Sequence, residues 1–370
     1  LFWIMKSADA PECYELSASL KKIHPNCVCI AGGTHVDFVR QECCQHFDYA
    51  LRGTGEEQLR YIIEKISTNQ IVEDEYLSIK SGHFKEYNHA KRSFIAPEFV
   101  VNREHFSRYG GVLGTGVYFS RGCNFKCKFC VYNNPSKFEF KTGSQITNEI
   151  EYLKTSYGVE GVNLRDEVCL PPNKKVAFDY LDGIGKSNVI WRGQSVPFAD
   201  EDVVRIAAES GLKELALGIE SVDSNLVLEI SNKPSRSIEK NIAFIELLKK
   251  YEIRVKVCLI FGLPGESPNV LERTIKFLEE VQPDYVALSG FDPVPGSPFY
   301  QEPEKYGIGK ISSDHTKHAH LVYRFDDSEE VGLPFEYKKE TPWGKGRHRD
   351  NILNDIRVMQ TWIRERGMSY

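Results

Sequence analysis

Three of the ten cysteines in this 370-residue chain stand close together, in the run Ser120-Arg121-Gly122-Cys123-Asn124-Phe125-Lys126-Cys127-Lys128-Phe129-Cys130. Thiolates from Cys123, Cys127 and Cys130 on one tight loop can each hold a separate iron of a cubane [4Fe–4S] cluster. The fourth iron then lacks a protein ligand, and an open coordination position lets a small molecule bind the metal. That suggests catalysis rather than electron storage. The competing zinc reading needs four ligands, usually from two paired knuckles, and no second CxxC follows downstream to complete them.

Such a loop needs a scaffold, and the hydrophobic pattern supplies one. Strand candidates at 116–120, 161–164, 189–191, 214–219, 255–260 and 285–289 are separated by helix-length sequence, with apolar residues at helical spacing over 144–155, 200–210 and 237–250. Repeated βα units force parallel strands and gather the loops at their carboxyl ends. Six such strands predict a partial (β/α)6 TIM-like barrel over 113–300, with the cysteine run just after its first strand. Before it, residues 1–68 read as an incomplete Rossmann-like α/β domain: a strand at 1–5, a helix at 14–23, a strand at 27–30 entering Ala31-Gly32-Gly33, and a strand at 49–51 before Gly53. Residues 69–112 read as a polar linker with one hairpin. Residues 301–370 read as a cap over the substrate region, with an amphipathic helix at 351–366.

The cysteine run resembles the CxxxCxφC motif of the radical S-adenosylmethionine (SAM) superfamily, with Phe129 at the aromatic position. The resemblance implies a [4Fe–4S] cluster on Cys123, Cys127 and Cys130 whose open iron binds SAM, and cleavage of SAM to a 5′-deoxyadenosyl radical. Further segments resemble that family's strand-end motifs. Asp166 or Glu167, after the second strand, stands where relatives hold the SAM amine. Arg192 and Gln194, on one face of the third strand by period-two alternation, are candidates for the SAM carboxylate, and Arg192 is equally a structural partner of Asp166 or Glu220. Gly218-Ile219-Glu220-Ser221, followed by Ser231-Asn232-Lys233, resembles a "GIES…K" segment in which the glutamate faces SAM; the alternative for Glu220 is a carboxylate at a helix N-terminus. Phe261-Gly262-Leu263-Pro264-Gly265-Glu266 is similar to the glycine-rich segment near adenine, and the loop from Phe291 to Pro298 is similar to one that closes the barrel.

The front segment resembles the "GGxH…D(Y/F)xxxGxGE" pattern of cobalamin-binding domains that precede many radical SAM barrels. It implies corrin contacts from Gly32, Gly33, Thr34, Gly53, Thr54 and Glu56, where a side chain would obstruct close backbone approach. The chain starts partway through that pattern, so either a front piece precedes Leu1 or the domain is shortened. His35 reads as a loop histidine, and Cys27, Cys29 and Cys258 as small core residues. Cys169 is a candidate hydrogen donor near the active face. The resemblance as a whole implies a cobalamin-dependent methyltransferase acting on an unactivated carbon; the alternative is a cobalamin-free or non-methylating radical SAM enzyme, performing cyclisation, oxidation or methylthiolation.

The implied partners are a small-molecule or natural-product substrate and an external electron donor such as flavodoxin or ferredoxin. A formal charge of −5 gives no global reason to bind nucleic acid, and the basic run Lys345, Arg347, His348 and Arg349 reads as a solvated surface. No apolar run reaches membrane-spanning length. Ten cysteines without a signal peptide argue for a reducing compartment, the cytoplasm, rather than a secreted disulfide scaffold.

Overall fold

Short apolar strands alternating with helices build two separate sheets. The computed structural model describes residues 1–53, 55–70, 77–79, 107–131, 138–223, 226, 232–233, 237–318 and 333–369. They divide into a front unit, drawn from 1–95, 128–134 and 291–349, and a barrel unit, drawn from 96–127, 135–290 and 350–370. Residues after 300 are therefore shared between the two.

The front unit runs β1 (Phe2–Trp3), α1 (Ala10–Ile23), β2 (Ile30–Gly32), α2 (Thr34–Phe38), α3 (Arg40–His46), β3 (Tyr49–Leu51), α4 (Glu56–Ser67) and β4 (Leu77–Ile79). Strands β1, β2 and β3 are parallel neighbours, and β4 adds antiparallel to β3. Ile4, Ala31, Val36, Cys43, Phe47 and Ala50 form a fully buried core. Strand β2 begins later than the apolar pattern at 27–30 predicts, because the Cys29 N–H donates to the Asp48 carboxylate at 2.8 Å instead of to a strand. Gly33 is required by the fold itself: it has φ +108°, and a Cβ there would stand 2.5 Å from the Ile4 carbonyl oxygen.

The barrel unit contains β5 (Ser107–Tyr109), β6 (Val112–Val117), α5 (Gly143–Tyr157), β7 (Gly161–Leu164), α6 (Lys174–Gly185), β8 (Ile190–Ser195), α7 (Glu201–Glu209), β9 (Leu212–Glu220), α8 (Ile238–Lys250), β10 (Arg254–Phe261), α9 (Val270–Val281) and β11 (Tyr285–Gly290). Its sheet runs β5 to β11 in sequence order, with β6 to β11 parallel and β5 an antiparallel edge. The six parallel strands curl into an open half-barrel, as the βα repeat predicts. Of the residues read as a linker, Leu77–Ile79 and Ser107–Tyr109 are strands of the two sheets, while 71–76 and 80–106 lie outside the described residues.

Local chemistry starts each helix. Thr142 and Gln145 form a capping box at α5, and the side chains of Asn173, Asp200 and Ser237 accept from the backbone N–H of the third residue of α6, α7 and α8. Along β9, Leu215, Leu217 and Ile219 are wholly buried while Ala216, Gly218 and Glu220 remain partly accessible on the other face. One face of the sheet is thus apolar and the other is left for small and charged groups. A last helix is α10 (Arg349–Glu365), and the segment just after it is tied to β11 by the Val286 N–H, which donates to the Met368 carbonyl at 2.9 Å.

Helices α5 and α6 touch backbone to backbone at Gly143 and Gly183, and Thr147 Oγ1 donates to the Gly183 carbonyl at 2.9 Å. A Cβ on Gly183 would collide with Gly143 backbone atoms. Gly183→Ala should therefore lower stability by about 1–3 kcal/mol through overpacking, read as a shift of the denaturant midpoint with an unchanged slope.

Candidate functional site

The first barrel strand ends at Val117, earlier than the 116–120 strand predicted, because the next N–H groups leave the sheet. Phe119 and Ser120 donate to Asp166 Oδ1 at 2.8 and 3.1 Å, and the Tyr180 hydroxyl donates to Oδ2 at 2.6 Å. Asp166 is wholly buried. Burial raises its carboxyl above the usual value, and these donors offset only part of that rise. Its oxygens are thus committed to holding the turn into the cysteine loop. Glu167 differs: its Oε2 is buried and has no hydrogen-bond partner among the described residues. Burial raises this carboxyl to about 7, with the Asp166 charge adding to the rise and Arg121 opposing it.

The loop beyond Ser120 carries Cys123 and Cys127 in the barrel unit, and Cys130 in the segment that belongs to the front unit. All ten cysteines of the chain are outside disulfides. Phe125 anchors the loop edge-on against Phe198 at 5.8 Å between centroids, its N–H reaches Cys123 Sγ at 3.5 Å, and Phe129 is buried. Burial pushes the Cys127 thiol up to about 11 and also raises Cys123; the Lys233 ammonium pulls both the other way. By their spacing, three thiols within eight residues are a donor set that fits a [4Fe–4S] cluster, and Lys233 moderates two of them.

Lys233 has a second task that spacing alone does not reveal. Its Nζ is 2.5 Å from Glu220 Oε1, in a pair whose side chains are only 4% and 14% exposed. Glu220 ends β9 at a register shift with φ +64°, and a Cβ on Gly218 would stand 2.5 Å from Glu220 Oε1 and 2.7 Å from Lys233 Nζ. Glycine is thus what leaves room for the pair. Asn232, next door, donates to the Lys126 carbonyl at 3.1 Å and ties this segment to the cysteine loop. Among the described residues the partner of Glu220 is a lysine thirteen residues on. Ser221, also buried, accepts from the Asp223 N–H.

On β8, Arg192 pairs with Glu214 of β9 at 3.6 Å rather than with Asp166 or Glu220, because the parallel register sets Arg192 opposite Glu214. Gln194 is exposed. Cys169 is fully buried, and a Cβ on Gly193 would lie 2.8 Å from its Sγ, so it fills the core beneath β8. Glu266 accepts the Gly262 N–H with both carboxylate oxygens at 2.9 Å and closes the glycine-rich turn after β10.

In the front unit the Gly53 N–H donates to Asp37 Oδ1 at 2.8 Å and Gly53 has φ +64°. Gly32 and Thr34 flank Gly33; Thr54 lies outside the described residues, and Glu56 opens α4. His35 is buried in α2, bonded to Tyr14 and Ser7, and is not the loop histidine predicted. A small cavity opens at this turn, lined by Met5, Ser7, Thr34, His35, Val294 and Pro295. The Gly-rich turns would let a ligand approach the backbone closely, although the need for Gly33 comes from the backbone of Ile4.

The sequence pattern of the radical SAM superfamily matches residues 117–278, from the end of β6 into α9. These residues form a radical SAM domain. The chain is similar to an uncharacterised methyltransferase of Pyrococcus horikoshii (26% identity over 312 residues, 78% of this chain and 66% of the relative). It is also similar to an anaerobic magnesium-protoporphyrin IX monomethyl ester cyclase of Cereibacter sphaeroides (25% identity over 325 residues, 81% and 52%). Its fold matches that of the cobalamin-dependent S-adenosylmethionine radical enzyme OxsB with a TM-score of 0.70 at 16% identity, covering 98% of this chain and 57% of that one. The chain thus spans between half and two thirds of each of these proteins. No helix among the described residues is long and apolar enough to cross a membrane.

Lys233→Met should strand a buried Glu220 carboxylate beside the radical SAM domain's cysteine loop and cost about 3 kcal/mol of stability. In chemical denaturation the double variant with Glu220→Gln should recover part of that loss. Equal stability of Lys233→Met and the unmodified chain would contradict the buried pairing.

Proposed function

We propose that this chain is a cobalamin-dependent radical SAM enzyme that transfers a methyl group to an unactivated carbon of a small molecule. The observation that carries the radical SAM part is the cysteine loop held at the carboxyl end of the half-barrel by Asp166. Cys123, Cys127 and Cys130 are the residues that would hold the cluster. The chemistry a [4Fe–4S] cluster supplies when bound is one-electron cleavage of SAM to a 5′-deoxyadenosyl radical, with the electron coming from an external donor such as flavodoxin or ferredoxin.

The chain's own groups bind and orient. Glu167, the acid with an unused buried oxygen, is the acceptor for the SAM amine; Asp166 acts one step back, as a positioning residue. Lys233 fixes Glu220 at the strand end and offsets the charge of the thiolates. Arg192 and Gln194, on the sheet face opposite Trp191, are suited to a carboxylate. Cobalamin, the methyl carrier of this reading, would be held through Gly32, Gly33, Thr34, Gly53, Thr54 and Glu56. Support comes from the fold match to a cobalamin-dependent enzyme, over 98% of this chain and 57% of that one, and from a methyltransferase among the relatives. The cyclase relative favours a second reading, radical-driven cyclisation without methyl transfer.

Anaerobic reconstitution with iron and sulfide, followed by dithionite and SAM, tests both. The intact chain should form 5′-deoxyadenosine, and Cys127→Ala should lose cluster absorbance and deoxyadenosine together; retained cleavage would overturn the assignment. Once a methyl-accepting substrate is supplied, S-adenosylhomocysteine formed only when cobalamin is added would favour methyl transfer, whereas deoxyadenosine with no S-adenosylhomocysteine even when cobalamin is added would favour cyclisation.

Glu167 also predicts a pH dependence. Its carboxyl is raised to about 7 in the free protein, and the amine N–H groups are better received by its ionised form. SAM affinity should therefore fall as pH drops through about 7, and Glu167→Gln should bind SAM weakly with that carboxylate contribution to the profile removed. Equilibrium binding of SAM to reconstituted protein between pH 6 and 8 measures this, and identical profiles for the two proteins would return Glu167 to a structural role.

A further inference from the structure

A second set of metal-ligand side chains converges within the front unit, away from the cysteine loop in sequence. His35 lies in the first turn of α2, Glu42 lies in α3, and His315 begins a single 3-10 turn, His315–Lys317. Glu42 and His315 are 273 positions apart. Even so, one donor atom from each of the three residues lies within 4.8 Å of the others. His315 Nε2 is 3.0 Å from Glu42 Oε2, and the two imidazoles meet edge to face at 5.1 Å.

The surroundings suit a cation. His35 is 2% exposed, and burial, with His315 close by, lowers it to about 4, so it is neutral and able to donate a lone pair at neutral pH. Glu42 is pushed up by burial but held below its usual value overall by His315 and Tyr14. His35 Nδ1 is fixed by Ser7 Oγ at 2.9 Å, the outer contact that orients a ligating imidazole and leaves Nε2 for the metal. That Nε2 now faces Tyr14 Oη at 3.0 Å; the Tyr14 hydroxyl also lies 3.5 Å from Cys43 Sγ and so keeps a partner if His35 turns to an ion.

We propose that His35, Glu42 and His315 bind one divalent first-row metal ion, with zinc(II) the best match. Two imidazoles and one carboxylate are a donor set zinc accepts, leaving a fourth position for water. Tetrahedral zinc with bonds of about 2.0–2.1 Å sets its ligand atoms about 3.3 Å apart. The Glu42–His315 spacing is close to this already, and the remaining gap closes by side-chain rotation. Such an ion would join segments from both ends of the chain within one unit, independently of the reaction proposed for the cysteine loop.

The test uses cluster-reconstituted full chain, freed of loose metal and titrated with Zn2+. Bound zinc and iron are counted by mass spectrometry, affinity is measured by calorimetry, and ligand type is read at the zinc X-ray absorption edge. The expected result is one zinc per chain beyond the cluster iron, with nitrogen and oxygen neighbours only. Glu42→Gln and His315→Gln should each weaken binding at least tenfold while leaving iron content unchanged, and Zn2+ should raise the melting midpoint of the unmodified chain but not of the variants. Sulfur in the zinc shell, no retained zinc, or equal uptake by the unmodified chain and both variants would overturn the proposal.

Discussion

One buried carboxylate governs the geometry of the barrel's working end. Asp166 receives two backbone N–H groups from the turn after β6 and the Tyr180 hydroxyl from α6, so the first strand, the second strand and the helix after it share one anchor. Removing any donor would leave charge or polarity buried without a partner, which is far more costly than the bond is worth in isolation. The cysteine loop starts where that anchor lets the chain leave the sheet. Its shape therefore depends on a wholly buried residue that already accepts three hydrogen bonds from the protein.

A second anchor stands at β9. Gly218 lacks the side chain that would separate Glu220 from Lys233, the backbone of Glu220 adopts a left-handed conformation, and Asn232 reaches back to Lys126. Left-handed backbone at a glutamate is unfavourable locally and persists where surrounding contacts over-determine it. Here the ion pair, the register shift and the tether to the cysteine loop do so. The same lysine moderates the thiols, so charge balance in the loop is coupled to the conformation of a strand end.

Much of this was readable in the chain before any coordinates. The βα rhythm gave six parallel strands with limits off by a few residues, since Leu215, Leu217, Ile219 and their counterparts mark faces by simple alternation, and Asp200 and Ser237 announce helix starts. The cysteine spacing identified its own loop. What stayed hidden depends on lateral register or on long-range closure. That Arg192 meets Glu214 follows from how β8 lies along β9, and nothing in either segment specifies that offset. Asp166 and Glu167 are adjacent and chemically alike, yet one is enclosed by donors and the other is not. His35 looks like a turn residue because Ser7, Tyr14 and His315, the groups that enclose it, lie in separate segments.

The Asp166 anchor also says something about modularity. Because the turn into the cysteines is held from β7 and α6, the loop is not a portable peptide that could be grafted after any strand with its shape intact. The smallest piece carrying that support runs from β6 through Tyr180, and a piece that also includes the Asn232 and Lys233 contacts extends past β9. A recombination event that exchanged front or tail segments would leave this block whole, whereas a crossover between Ser120 and Asp166 would separate the loop from the carboxylate that shapes it.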